Sequence, residues 1–141
     1  MRLFSHVDLR VRDRNRAKAF YDVLFAPLGM ASEVGQTFTT YTIDPDASEG
    51  EWEWFGFTEA PDMVPGFGRI AIFADTREIV DDVAKAAQVA GAGAIEGPSL
   101  VPEYTPSYYA VFFEDPDGNK LEVCCLTPEF RDEAEEDGGA S

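Results

Sequence analysis

The chain has 141 residues, 45% of them apolar and 13% aromatic, which is room for one domain with a substantial core and too apolar a composition for a disordered polymer. Its 27 acidic residues against 11 basic ones give a formal net charge of -16, a surface that repels duplex nucleic acid. The lysines are only Lys18, Lys85 and Lys120, and acidity of this degree fits a salty cytoplasm, where dissolved ions screen self-repulsion. The segment from Met1 to Arg16 is studded with arginines and lacks the apolar run of a secretion signal, and no stretch has the length and apolarity of a membrane span. Cys124 and Cys125 are adjacent, too close for ordinary disulfide geometry, so they are expected to be reduced thiols in a cytoplasmic protein.

Along the chain, Phe4 to Val11 alternates as a strand, with Val7, Leu9 and Val11 on one face and His6, Asp8 and Arg10 on the other. Asp13 can cap a helix whose stripe is Ala17, Phe20, Tyr21, Leu24 and Leu28 and which Pro27 and Gly29 finish. Strands at Met30 to Val34, Thr37 to Ile43 and Trp52 to Phe57 follow, separated by Gly35 and by the loop DPDASEG. After the linker APDMVPGFG the order begins again. A strand at Arg69 to Ala74 leads into a helix opening near Thr76, with the stripe Ile79, Val80, Val83, Ala87 and Ala90 and Gly91 as terminator. Further strands fit Ala94 to Glu96, Tyr108 to Glu114 and Lys120 to Cys125, the last two joined as a hairpin by DPDG.

The architecture expected is therefore α+β, two sequential βαβββ modules whose mixed sheet curls around a cup-shaped cavity. Module one spans residues 1–59, the linker 60–67 and module two 68–127. Residues 128–141 form an acidic tail expected to be flexible. Laying the modules over one another sets His6 above Arg69, Leu9 above Ile72 and Val11 above Ala74. Near the module ends it sets KLEVCCLT against EWEWFGFT, so that Glu122 meets Glu53 and Thr127 meets Thr58.

Two segments, HVDLRVRDRNRAKAFYDVLFAPLGM and LVPEYTPSYYAVFFEDPDGNKLEVCC, resemble the opening strand and helix and the closing hairpin of the vicinal-oxygen-chelate superfamily, which contains glyoxalases, bleomycin-resistance proteins and extradiol dioxygenases. In its metal-using members the first and last strands of each module supply histidine and carboxylate ligands to one divalent ion. Carried over by position, the resemblance implies His6, Glu53 and Glu122 as ligands to Zn, Fe, Mn or Ni, with Glu122 also the candidate catalytic carboxylate. Arg69 occupies the fourth ligand position, and a guanidinium cannot ligate a metal and stays protonated. Thr105 is a second departure, standing where some relatives have histidine in a YHPxYY context.

Two states compete for such a cup. Either an ion sits on the imidazole and carboxylates, or Arg69 replaces its charge and pairs with Glu122 or Glu53. The second is preferred, because an arginine beside a dication is electrostatically costly. Glu122, between Leu121 and Val123 on a central strand, is an unusual place for an unpaired carboxylate. His6 is the only histidine, and a lone histidine on a strand is commonly structural. Trp54, Tyr104 and Tyr109 join His6 and Arg69 as candidate ligand contacts, Tyr104 from the PEYTPSYY loop at the mouth.

The leading expectation is a small-organic-molecule binder with a degenerate metal site, assembled as a homodimer, with no cofactor or one divalent metal ion. The rivals are a metal-dependent lyase, isomerase or dioxygenase, and a non-catalytic interaction domain. The chain carries no nucleophile elbow, phosphate-cradling loop, CxxC pair or dinucleotide fingerprint.

Overall fold

The computed structural model describes residues 3–43 and 53–127. The DPDASEG loop, Trp52 and the acidic tail lie outside them. Module one runs β1 (His6–Val11), α1 (Arg14–Phe25), a 3-10 turn (Ala26–Leu28), β2 (Ala31–Val34), β3 (Phe38–Thr42) and β4 (Trp54–Glu59). Module two runs β5 (Arg69–Phe73), α2 (Arg77–Ala90), β6 (Gly93–Leu100), β7 (Tyr109–Glu114) and β8 (Lys120–Cys125). Each module makes one mixed four-stranded sheet, ordered β1-β4-β3-β2 and β5-β8-β7-β6, with β1 parallel to β4 and β5 parallel to β8.

Local chemistry accounts for the element ends. The Asp13 carboxylate accepts the amide N–H of Arg16 and the Thr76 hydroxyl accepts that of Ile79, so each helix opens on a capped turn. Gly29 and Gly91 close them in left-handed conformation, φ 71° and 85°. Phe25 takes the buried place expected for Leu28, because the chain tightens into the 3-10 turn at Ala26 and rotates Leu28 out of the stripe. Strand β6 is longer than the alternation of Ala94 to Glu96 suggests and is irregularly paired with β7. Its Gly97 sits at φ 89°, where a Cβ would come within 2.7 Å of the Ala110 carbonyl oxygen.

Each helix covers one face of its own sheet. Phe20, Tyr21, Leu24 and Phe25 of α1 meet Tyr41, Phe55 and Phe57, while Val80, Val83 and Ala87 of α2 meet Val111, Phe113, Leu121 and Val123 in the same buried cluster. The helices also lie against each other, so the modules join helix to helix. Alternation then assigns the opposite faces. His6, Asp8, Arg10, Trp54 and Gly56 stand on the open face of the first sheet, and Arg69, Lys120, Glu122, Cys124 and Phe112 on that of the second. Among the described residues no ladder joins the sheets, and β1 and β5 each keep one unpaired edge.

A polar clamp adds a second bond between modules. In the DPDG turn between β7 and β8, Asp115 Oδ1 accepts the amides of Asp117 and Asn119, each at 2.9 Å. Its Oδ2 accepts the Tyr21 hydroxyl of α1 at 2.7 Å. Asp117, its side chain wholly buried, takes Arg16 at 2.6 Å and Arg12 at 3.3 Å on one oxygen. No described helix is long and apolar enough to cross a membrane.

Asp117→Ala strands two arginines, but both are about half exposed and can rehydrate, so the expected loss is about 2 kcal/mol, below that for orphaning a fully buried charge. Urea denaturation checks this, with Lys18→Ala, which removes an exposed helix pair, expected to cost well under half as much.

Candidate functional site

Glu122 is the residue the fold treats most unusually. It lies on the open face of β8 yet is only 4% exposed, and its carboxylate accepts a hydrogen bond from the Tyr108 hydroxyl. Tyr108 directly precedes β7, and the Tyr104 ring meets it edge-on at 4.9 Å. Burial, with hydrogen bonding to Cys124 and Glu122, holds the Tyr108 phenol well above its ordinary range. Burial also raises the Cys124 thiol, and its hydrogen bond to Tyr108 pulls it partway back. Carboxylate, phenol and thiol thus form one polar cluster beneath Tyr104.

Arg69 does not pair with Glu122 or Glu53. Its guanidinium reaches across β8 and stacks over the Phe112 ring, 4.7 Å from the centroid. The expected bidentate pair fails on register: Arg69 sits opposite Lys120, while Glu122 sits opposite Ala71 and is already engaged by Tyr108. In the first sheet the His6 ring stacks on Trp54, 4.2 Å between centroids and 6° from parallel, with Nδ1 2.9 Å from the Ser5 hydroxyl. Gly56 makes room for this stack, since a Cβ there would lie 2.8 Å from the Trp54 ring and from the Thr39 carbonyl oxygen.

The same register revises the carboxylate assigned to module one. His6 pairs with Trp54 as Arg69 pairs with Lys120, so the position equivalent to Glu122 is Gly56, two residues further along each strand. Glu53 is an exposed residue before β4, and alternation places it on the side of Phe55, away from His6. Tyr109 likewise turns from the open face: its hydroxyl donates to Asp81 of α2 at 2.5 Å. The aromatic clustering pointed to Tyr109 and the module overlay to Glu53, while the strand phase selects Tyr108 and leaves a glycine.

The metal-ligand positions of such a fold therefore hold an imidazole, a glycine, a guanidinium and a carboxylate already hydrogen-bonded to a phenol. Two donors on two sheets that share no ladder among the described residues do not make a metal set. Among the described residues no three His, Cys, Asp or Glu side chains cluster as metal ligands. The residues present do not fit a resident divalent ion in one chain.

Comparison with known proteins identifies the family. Residues 3–123 match the model of the Glyoxalase/Bleomycin resistance protein/Dioxygenase superfamily, and the chain belongs to that superfamily. A glyoxalase/bleomycin resistance protein from Albidiferax ferrireducens T118 is 25% identical, with TM-score 0.73 over 88% of this chain and 98% of that one. A family enzyme from Burkholderia phytofirmans PsJN is 21% identical, TM-score 0.65, over 87% and 98%. The fosfomycin resistance protein FosX from Listeria monocytogenes, solved with Mn(II) and a sulfate ion, is 18% identical, TM-score 0.64, over 90% and 92%. A search of curated proteins finds no match.

Tyr108→Phe leaves the buried Glu122 carboxylate without its donor and is expected to cost about 1–3 kcal/mol; in a Glu122→Gln background the same change should cost clearly less. Urea melts of the four proteins measure that coupling. Because the folded state holds the phenol protons of Tyr21, Tyr41 and Tyr108 more tightly than the unfolded chain, stability should be unaffected by them below about pH 10 and should fall above it. Absorbance titration should find the Tyr108 phenol ionising at lower pH in Glu122→Gln than in wild type.

Proposed function

We propose that this protein binds a small organic molecule in a cup built on the open face of the second sheet, with a degenerate metal site. The observation that carries the reading is Glu122: a carboxylate buried on the sheet face turned away from α2, held by Tyr108 and flanked by the Arg69–Phe112 stack. A few convergent polar groups among aromatic side chains is the composition of a small-molecule site. The wall facing them comes from a second copy. Among the described residues β1 and β5 both have a bare edge, and a two-fold axis that lays β1 of one copy beside β5 of the other consumes both at once. In that homodimer His6 and Trp54 of one chain face Arg69, Tyr104 and Glu122 of the other. Two buried free thiols, Cys124 and Cys125, support a reducing, cytoplasmic setting.

The second reading, a metal-dependent lyase, isomerase or dioxygenase, takes its support from the Mn(II)-bearing FosX and would need His6 and Glu122 to meet across such a dimer. Metal analysis of protein purified without chelator separates the two. Far less than one transition-metal ion per chain, together with an organic molecule released on denaturation and detected by mass spectrometry, is the expected result. A near-stoichiometric ion lost in Glu122→Ala would transfer the assignment to the metal enzymes. Light scattering after gel filtration should give the mass of two chains, and Phe73→Glu, at a 72% exposed position on β5, should shift it toward one; a wild-type monomer at high concentration would remove the second copy from the site.

A further inference from the structure

On the open face of the second sheet, next to the Glu122 cluster, two cations stand side by side in a protein that is strongly anionic as a whole. Arg69 and Lys120 are register partners on adjacent strands and project from the same face. Between them and β6 lies a cavity of about 170 Å³ with Phe112 in its wall. In a chain of net charge -16 two neighbouring cations would be expected in ion pairs, and although Glu96 and Glu114 line the same cavity, among the described residues neither cation forms one. The ion pairs among the described residues use Arg10, Arg12, Arg16 and Lys18. Both rest on aromatic rings instead, Arg69 on Phe112 at 4.7 Å and Lys120 on Phe67 at 5.9 Å. A ring face attracts a cation but leaves its N–H donors unspent. A second copy laid along β5 does not supply the missing anion from its β1 either, since the acidic side chain on that open face, Asp8, is held by Arg10 at 2.8 Å.

We propose that Arg69 and Lys120 receive the carboxylate of the bound molecule, so that the ligand is a small monoanionic organic acid with an apolar, ring-sized body lying against Phe112. This deepens the small-molecule reading above and rests on it. The carboxylate fits the planar guanidinium fork through two parallel N–H···O bonds, with the lysine as a second point charge. Glu96 and Glu114 line the same cavity, so the local charges of the four side chains cancel. That balance accommodates one added negative charge beside the guanidinium and disfavours two, which sets a carboxylate above a phosphate dianion.

Titration of wild-type dimer with benzoate, benzylamine, toluene and inorganic phosphate, followed by amide chemical shifts of β5, β7 and β8, tests the inference. Benzoate should bind more tightly than the other three and weaken as chloride rises. Arg69→Gln and Lys120→Gln should each lower benzoate affinity about tenfold, the loss of one charge-assisted contact. Arg69→Lys should recover part of it, and Lys85→Gln, the same charge change on exposed α2, should leave it unchanged. Both cations are surface groups, and unaltered thermal melts would confirm that the variants fold. Toluene binding at Phe112 with benzoate indifferent to Arg69 would overturn the anion assignment while leaving the small-molecule site standing. Phosphate or benzylamine binding more tightly than benzoate would overturn the ligand class, and no binding of any probe would overturn both readings.

Discussion

Two carboxylates in one hairpin turn hold the halves of this chain in place. Asp115 and Asp117 are each only 3% exposed, and between them they accept the turn's own amides, a tyrosine hydroxyl of α1 and two arginines that flank the start of that helix. Turning these groups inward toward module one orients β8 relative to α1, and the packing of α1 on α2 completes the arrangement. Everything functional follows from that geometry. The helices occupy the space between the modules, each sheet turns one face away from them, and among the described residues the strands that begin the modules keep an unpaired edge.

Much of this was legible in the residues. Alternation in β1 put Val7, Leu9 and Val11 on one face, and that face packs on the core, since burial on one face is a local, period-two property. The helix stripes and their caps were legible for the same reason. What escaped was relational. Tyr21 and Asp115 lie 94 positions apart, and no periodicity announces that they touch. The repeat between modules placed Glu53 under Glu122 by resemblance of letters, whereas the ladders count from β1 and β5 and arrive at Gly56. In the pair Tyr108 and Tyr109 the alternation was evident, but its phase depends on which neighbour faces α2, and that is a property of the packed sheet.

The site illustrates how a superfamily scaffold can keep a position and change its chemistry. Arg69 stands where the resemblance implies a metal ligand, and a permanent cation there makes an added dication unfavourable. Glu122 remains, but as the acceptor of a phenol within a desolvated cluster that also includes Cys124. A buried carboxylate whose one hydrogen-bond donor among the described residues is neutral is a costly arrangement for folding alone, and that cost is what motivates the proposed ligand-facing role.

The bare edges of β1 and β5 also set a limit on assembly. Reciprocal exchange would use the β1 and β5 edges in one closed pair, whereas joining like to like would leave one of them open at each end and permit growth into fibres. A surface as anionic as this one raises the repulsion between copies approaching in arbitrary orientations and so disfavours the open-ended route. In the proposed pairing, screening by concentrated salt would relax that guard and favour open-ended association.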